Sequence, residues 1–84
     1  MPYSIIWSDS AVRALRKLDR TLAKRVFESV GELSSNPHRQ LRRLAGSPHY
    51  RLRVGDFRVI VGVEESRLEI LVIKVGHRES VYRP

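Results

Sequence analysis

Between His38 and Arg58 the chain carries six arginines (Arg39, Arg42, Arg43, Arg51, Arg53 and Arg58) and two histidines against a single acid, Asp56. Across the whole sequence sixteen Lys and Arg stand against nine Asp and Glu, a formal net charge of +7, and thirteen of those cations are arginine. Lysine serves solubility equally well. The guanidinium fork, however, grips phosphate oxygens bidentately and stacks on bases, so the bias points to an anionic polymer. The bland alternative is a solvated basic face. A second group follows near the end: Gly76-His77-Arg78-Glu79-Ser80-Val81-Tyr82. Cutting RNA by attack of its own 2′-hydroxyl needs a base for that proton, cations for the crowded phosphorane and an acid for the leaving 5′-oxygen. It calls for no metal and no cofactor. Arginines suit the middle role, each aimed donor being worth ~10²–10³ in rate. Histidine, with an unperturbed pKa of about 6.5, suits proton transfer, and tyrosine can stack on a base or donate a proton. The candidate catalytic set is therefore Arg53, Arg58, His77, Arg78 and Tyr82, and the candidate RNA-binding set Arg39, Arg42, Arg43, Arg51 and Arg53.

These residues must be held by a small scaffold. Tyr3 to Trp7 reads as a strand, and Ser8, Asp9 and Ser10 are helix N-caps. Ala11, Val12, Leu15 and Leu18 recur at helical spacing. Asp19 caps a second helix, whose stripe is Leu22, Ala23, Val26, Phe27, Val30 and Leu33, and Asn36-Pro37 ends it. His38 to His49 reads mostly as loop, with Leu41 and Leu44 anchoring it to the core. Tyr50 to Val63 then alternates with period two around Gly55-Asp56, a two-residue turn of type II′. The implied register sets Val54 opposite Phe57, Arg53 opposite Arg58, Leu52 opposite Val59 and Tyr50 opposite Val61. Leu68 to Val75 is the last strand. The expected fold is α+β in the order β-α-α-β-β-β: an N-terminal strand, and a two-helix hairpin packed on an antiparallel sheet completed by a three-stranded meander. Two arginines directly opposite one another cost up to about 1 kcal/mol, which an anion offsets. The competing account has them splay into solvent or pair with Glu69.

Length and composition narrow the remaining classes. The sequence reads as one domain over residues 1–84, since a chain this short buries only about 60% of its unfolded surface. With no cysteine there are no disulfides, thiolate metal sites or cysteine nucleophiles. No apolar run approaches the roughly 20 residues of a membrane span, and Met1 to Trp7 lacks a signal pattern, so a cytoplasmic location is the expectation.

Tyr50-Arg-Leu-Arg-Val-Gly-Asp-Phe-Arg-Val-Ile-Val61, followed by Gly76-His-Arg-Glu-Ser-Val-Tyr82, resembles the paired motifs of the RelE/ParE toxin superfamily, above all its RelE-like branch. The resemblance covers nearly the whole chain. It implies a toxin that enters the ribosomal A site and cleaves messenger RNA, neutralised by a cognate antitoxin that wraps its surface. By position, Arg51 and Arg53 match basic second-strand residues, Arg58 a phosphate-stabilising arginine, and Arg78 and Tyr82 the C-terminal arginine and tyrosine. His77 sits where a basic residue commonly stands. One departure matters: the second-strand positions are lysines in the best-described RelE members, and arginine does not give up a proton. The general base then falls to His77, with Glu79 second. The same departure leaves two further readings: a ParE-like toxin that poisons DNA gyrase by binding, and an RNA-binding relative without activity.

Overall fold

The computed structural model describes residues 2–77. Strand β1 (Ser4–Trp7) leads into helix α1 (Asp9–Arg16) and helix α2 (Arg20–Gly31). A 3₁₀ turn (Glu32–Ser34), a short helix α3 (Pro37–Gln40) and a two-residue strand β2 (Arg42–Arg43) follow. Strands β3 (Tyr50–Val54), β4 (Phe57–Glu64) and β5 (Glu69–His77) complete one five-stranded sheet of order β1-β5-β4-β3-β2. Both helix starts are capped as the sequence requires. Ser8 Oγ accepts from the Ala11 amide at 3.1 Å, and Asp19 Oδ1 accepts from the Leu22 amide at 2.9 Å. Ala11, Val26, Val30 and Leu33, all fully buried, pack on Leu52, Val59, Val61, Ile70 and Val72 of one sheet face. That face holds the core.

The hairpin register is the expected one at all four expected pairs. Gly55, at φ +58°, takes the left-handed first turn position while Asp56 keeps a negative φ, as a type II′ turn demands. Three features differ from the expectation. The stretch read as loop contains α3 and β2, with Leu41 buried between them. The sheet is mixed, because β1 lies parallel to β5, with Ile6 beside Leu71. The overlooked β2 supplies the extra chain reversal that makes the last strand run the same way as the first. Phe27 leaves the α2 stripe: it is 56% exposed and stacks on Trp7 with ring centroids 5.8 Å apart.

A bulge in β5 sets which residues face the site. Ile60 pairs with Lys74 and Val61 with Val72, leaving Ile73 as an extra residue. Only this shift lets Ile70, Val72 and Val75 all enter the core. The Ile73 carbonyl accepts from Ser8 Oγ at 2.9 Å, so the α1 cap also satisfies the bulge. Ser8→Ala is expected to remove the cap and orphan that carbonyl, at a cost of about 1–3 kcal/mol. Thermal denaturation should show a loss of about 4–8 °C per kcal/mol, with Ser10→Ala as the silent control. An unchanged midpoint for Ser8→Ala would remove the serine from this role.

Candidate nucleic-acid interface

The face of the sheet turned away from the helices carries Arg42, Arg51, Arg53, Arg58 and Lys74, because alternation sends Leu52, Val54, Val59 and Val61 to the core face. One cross-strand row runs Arg42, Arg51, Ile60, Lys74; the next runs Arg53, Arg58, Gly76. Arg42, Arg51 and Arg53, with Gln40, line a cleft of about 270 Å³. Gln40 and Lys74 were not singled out in the sequence. Lys74 was concealed by the bulge, and Gln40 by the irregular chain before β2. Arg58 lies directly across from Arg53 and is buried. It is 3% exposed, its Nε finds no hydrogen-bond partner among the described residues, and its Nη1 reaches the Phe57 carbonyl only at 3.5 Å. A buried Nε without a partner among the described residues is a donor that the described part of the chain leaves unsatisfied. Glu69 is not its counter-ion. That carboxylate pairs with Arg67 at 3.2 Å, at the opposite end of β5.

Other expected site residues lie elsewhere. Arg43 is the cross-strand partner of Tyr50 and shares its face; the guanidinium stands 5.5 Å from the Tyr50 ring centroid. His38 meets the same ring edge-on at 6.1 Å and places Nε2 2.7 Å from Glu65 Oε1, while Tyr3 donates its hydroxyl to Glu65 Oε2 at 2.5 Å. These hydrogen bonds, that of Tyr3 first, hold the Glu65 carboxyl below its ordinary range. Arg39 is exposed on α3. His77 needs a correction of place. Expected beside the hairpin arginines, it is instead the partner of Phe57, its ring against that ring at 5.0 Å, on the parity of the core face and not of Arg53 and Arg58. The bulge is the reason. Arg78, Glu79 and Tyr82 lie outside the described residues. Among the described residues no helix is long and apolar enough to cross a membrane.

The architecture and the sequence both have counterparts. Residues 5–82 match the family described as the ParE toxin of the type II toxin–antitoxin system, parDE. The chain belongs to the RelE/ParE family of type II toxin–antitoxin toxins. Toxin RelG of Mycobacterium tuberculosis is 35% identical over 99% of this chain and 99% of its own. The mRNA interferase toxin RelE of Escherichia coli K12 is 27% identical, over 94% of this chain and 86% of that protein. Among solved structures, a chain of the toxin–antitoxin complex RelBE2 from M. tuberculosis superposes with a TM-score of 0.83 at 26% identity, covering 93% of this chain and 100% of that one. A chain of the archaeal RelE–RelB complex from Pyrococcus horikoshii gives 0.79 at 28% identity, covering 93% and 97%. RelE/ParE toxins are thus the context in which the arginine face is to be understood.

Proposed function

We propose that this RelE/ParE toxin is a ribosome-dependent endoribonuclease that stops translation by cutting messenger RNA. The observation that carries the reading is the buried Arg58, its Nε without a partner among the described residues, directly across from Arg53 and on the same sheet face as Arg51. The name mRNA interferase, borne by the E. coli relative, supports it. In the reaction, the 2′-hydroxyl gives up its proton as its oxygen attacks phosphorus, the bond to the 5′-oxygen breaks and that oxygen takes up a proton, leaving a 2′,3′-cyclic phosphate and a free 5′-hydroxyl. Arg58 stabilises the negative charge that develops between those events, and Arg51, Arg53, Arg42 and Lys74 hold the flanking phosphates. Arg78 and Tyr82 complete the set by position. Because His77 packs on Phe57 behind the arginines, its conversion to Gln is expected to slow single-turnover cleavage by less than about tenfold, short of the ~10²–10⁴ that a lost acid or base costs. A larger loss at unchanged ribosome affinity would restore it as the proton acceptor.

That the similar solved chains come from toxin–antitoxin complexes supports an antitoxin as partner. An acidic, apolar-studded segment fits across the +7 surface, and rising salt should slow its association. The family match under the ParE name favours one other reading, in which the same face binds DNA gyrase and performs no chemistry. Producing the toxin alone in bacteria decides between them. Pulse labelling is expected to show amino-acid incorporation failing first; early loss of thymidine incorporation with translation intact would install the gyrase reading instead.

A further inference from the structure

A second concavity shares the arginine face and is unused by the proposed chemistry. It is a groove of about 430 Å³ beyond the Ile60–Lys74 row. Its floor is Ile6, Leu71 and the bare backbone of Gly62, with both apolar side chains 42% exposed. His49 stands over Gly62, its Cδ2 3.6 Å from where a Cβ would lie. The rim carries two carboxylates, the cross-strand partners Glu64 and Glu69, and one cation, Arg67. Each carboxylate is oriented through one oxygen: Ser66 donates to Glu64 Oε1 from its amide and its hydroxyl, and Arg67 donates to Glu69 Oε1. Oε2 of each makes no hydrogen bond to the described residues. Hydrogen bonds from Ser66 hold the Glu64 carboxyl below its ordinary range, so it is an acceptor across the physiological range.

We infer that this groove receives one base of the RNA strand whose phosphates lie along the arginine rows, and that its paired carboxylates select a base with adjacent N–H donors, guanine first. The inference rests on the RNA-binding part of the proposed function. Charge decides the occupant. With Arg67 paired to Glu69, the carboxylate of Glu64 leaves the rim net negative, which disfavours a phosphate and the acidic side chains of a neutralising peptide alike, while both carboxylates accept from a base edge. The apolar floor and the His49 ring offer the flat surface on which a base stacks. Gly62 lies four residues from Arg58 on the same strand, about 13 Å away at about 3.3 Å per residue, within reach of a neighbouring nucleotide on an extended strand. Guanine presents its ring N–H and amine side by side to one carboxylate. Uracil presents a lone N–H between two carbonyls, which the carboxylates oppose.

The probe is a set of short 2′-O-methyl oligouridylates, which resist cleavage, carrying a single central guanosine, adenosine, cytidine or no replacement. Binding is read by fluorescence anisotropy. The parent is expected to favour the guanosine strand over plain oligouridylate by about tenfold. Glu64→Gln and Glu69→Gln should each bring that ratio toward one without weakening plain oligouridylate binding. Gly62→Ala makes only ordinary contacts of 3.6 and 3.7 Å, so it should fold, raise the floor and lower the ratio as well. Arg53→Ala should weaken all four strands alike. A parent that binds all four equally overturns the base pocket and leaves the arginine surface standing. If no strand binds at all, the RNA reading fails and the pocket with it. If the variants keep the parental ratio but lose affinity for an acidic, leucine-bearing helical peptide, the groove is a peptide site and the inference is wrong.

Discussion

Arg58→Met is expected to melt at or above the parental temperature and to cleave ribosome-bound message at least ~10²-fold more slowly. Both parts follow from one geometry. The Arg58 side chain is 3% exposed, with Nε unpaired among the described residues and Nη1 making only a 3.5 Å contact. A buried polar group without a partner costs about 1–3 kcal/mol, and replacing buried charge by an apolar chain of similar length is often neutral or stabilising. Methionine fills comparable space with an unbranched, adaptable chain. It has no donor for the phosphorane, and one such donor is worth ~10²–10³. Alanine is the wrong replacement for this test, because it leaves a cavity where the arginine stem packed and confounds lost packing with lost chemistry. Thermal melts of both variants, beside single-turnover cleavage, separate the two effects. A methionine variant that melts well below the parent would make the guanidinium a structural element.

The burial of Arg58 also marks where the sequence stopped being legible. Gly55-Asp56 between two alternating runs fixed the β3–β4 pairing, because turn type and a period of two leave one register that buries Leu52, Val54, Val59 and Val61 together. Ser8 and Asp19 were equally readable, since each is the short polar residue that an exposed helix start requires. The bulge at Ile73 was not. In Leu-Val-Ile-Lys-Val every residue but one is apolar, so the string carries no phase, and unbroken alternation from Ile70 and Val72 would set His77 with the arginines. Depth was hidden for the same kind of reason. Alternation assigns Arg58 and Ile60 to the outer face, and says nothing of whether neighbours on that face bury them. The two-residue β2 was likewise too short for periodicity to register, and with it went the direction of β1 relative to β5.

The second large effect is expected at Arg53, which is exposed and lies directly opposite the buried Arg58. Arg53→Glu should stabilise the fold and disable the toxin. In the parent, two like charges face one another across β3 and β4, a pairing that costs up to about 1 kcal/mol when no anion lies between them. A glutamate at that place turns repulsion into attraction and gives the Arg58 guanidinium an acceptor within the chain, so the melting temperature should rise. The same change removes one phosphate contact and engages the arginine that would make another. For single-stranded RNA the slope of log K against log salt is about −0.7 per phosphate neutralised. It should therefore flatten by about 1.4, with cleavage at least ~10²-fold slower. Arg53→Gln supplies the intermediate case: the repulsion disappears and one contact is lost, but Arg58 stays available, so the slope should flatten by about 0.7. The three proteins thus form an ordered series in which stability climbs as RNA binding falls. If the glutamate variant melts below the parent, or keeps the parental salt slope, the facing arginines are not held apart for an anion, and the polymer's phosphates lie elsewhere on the sheet.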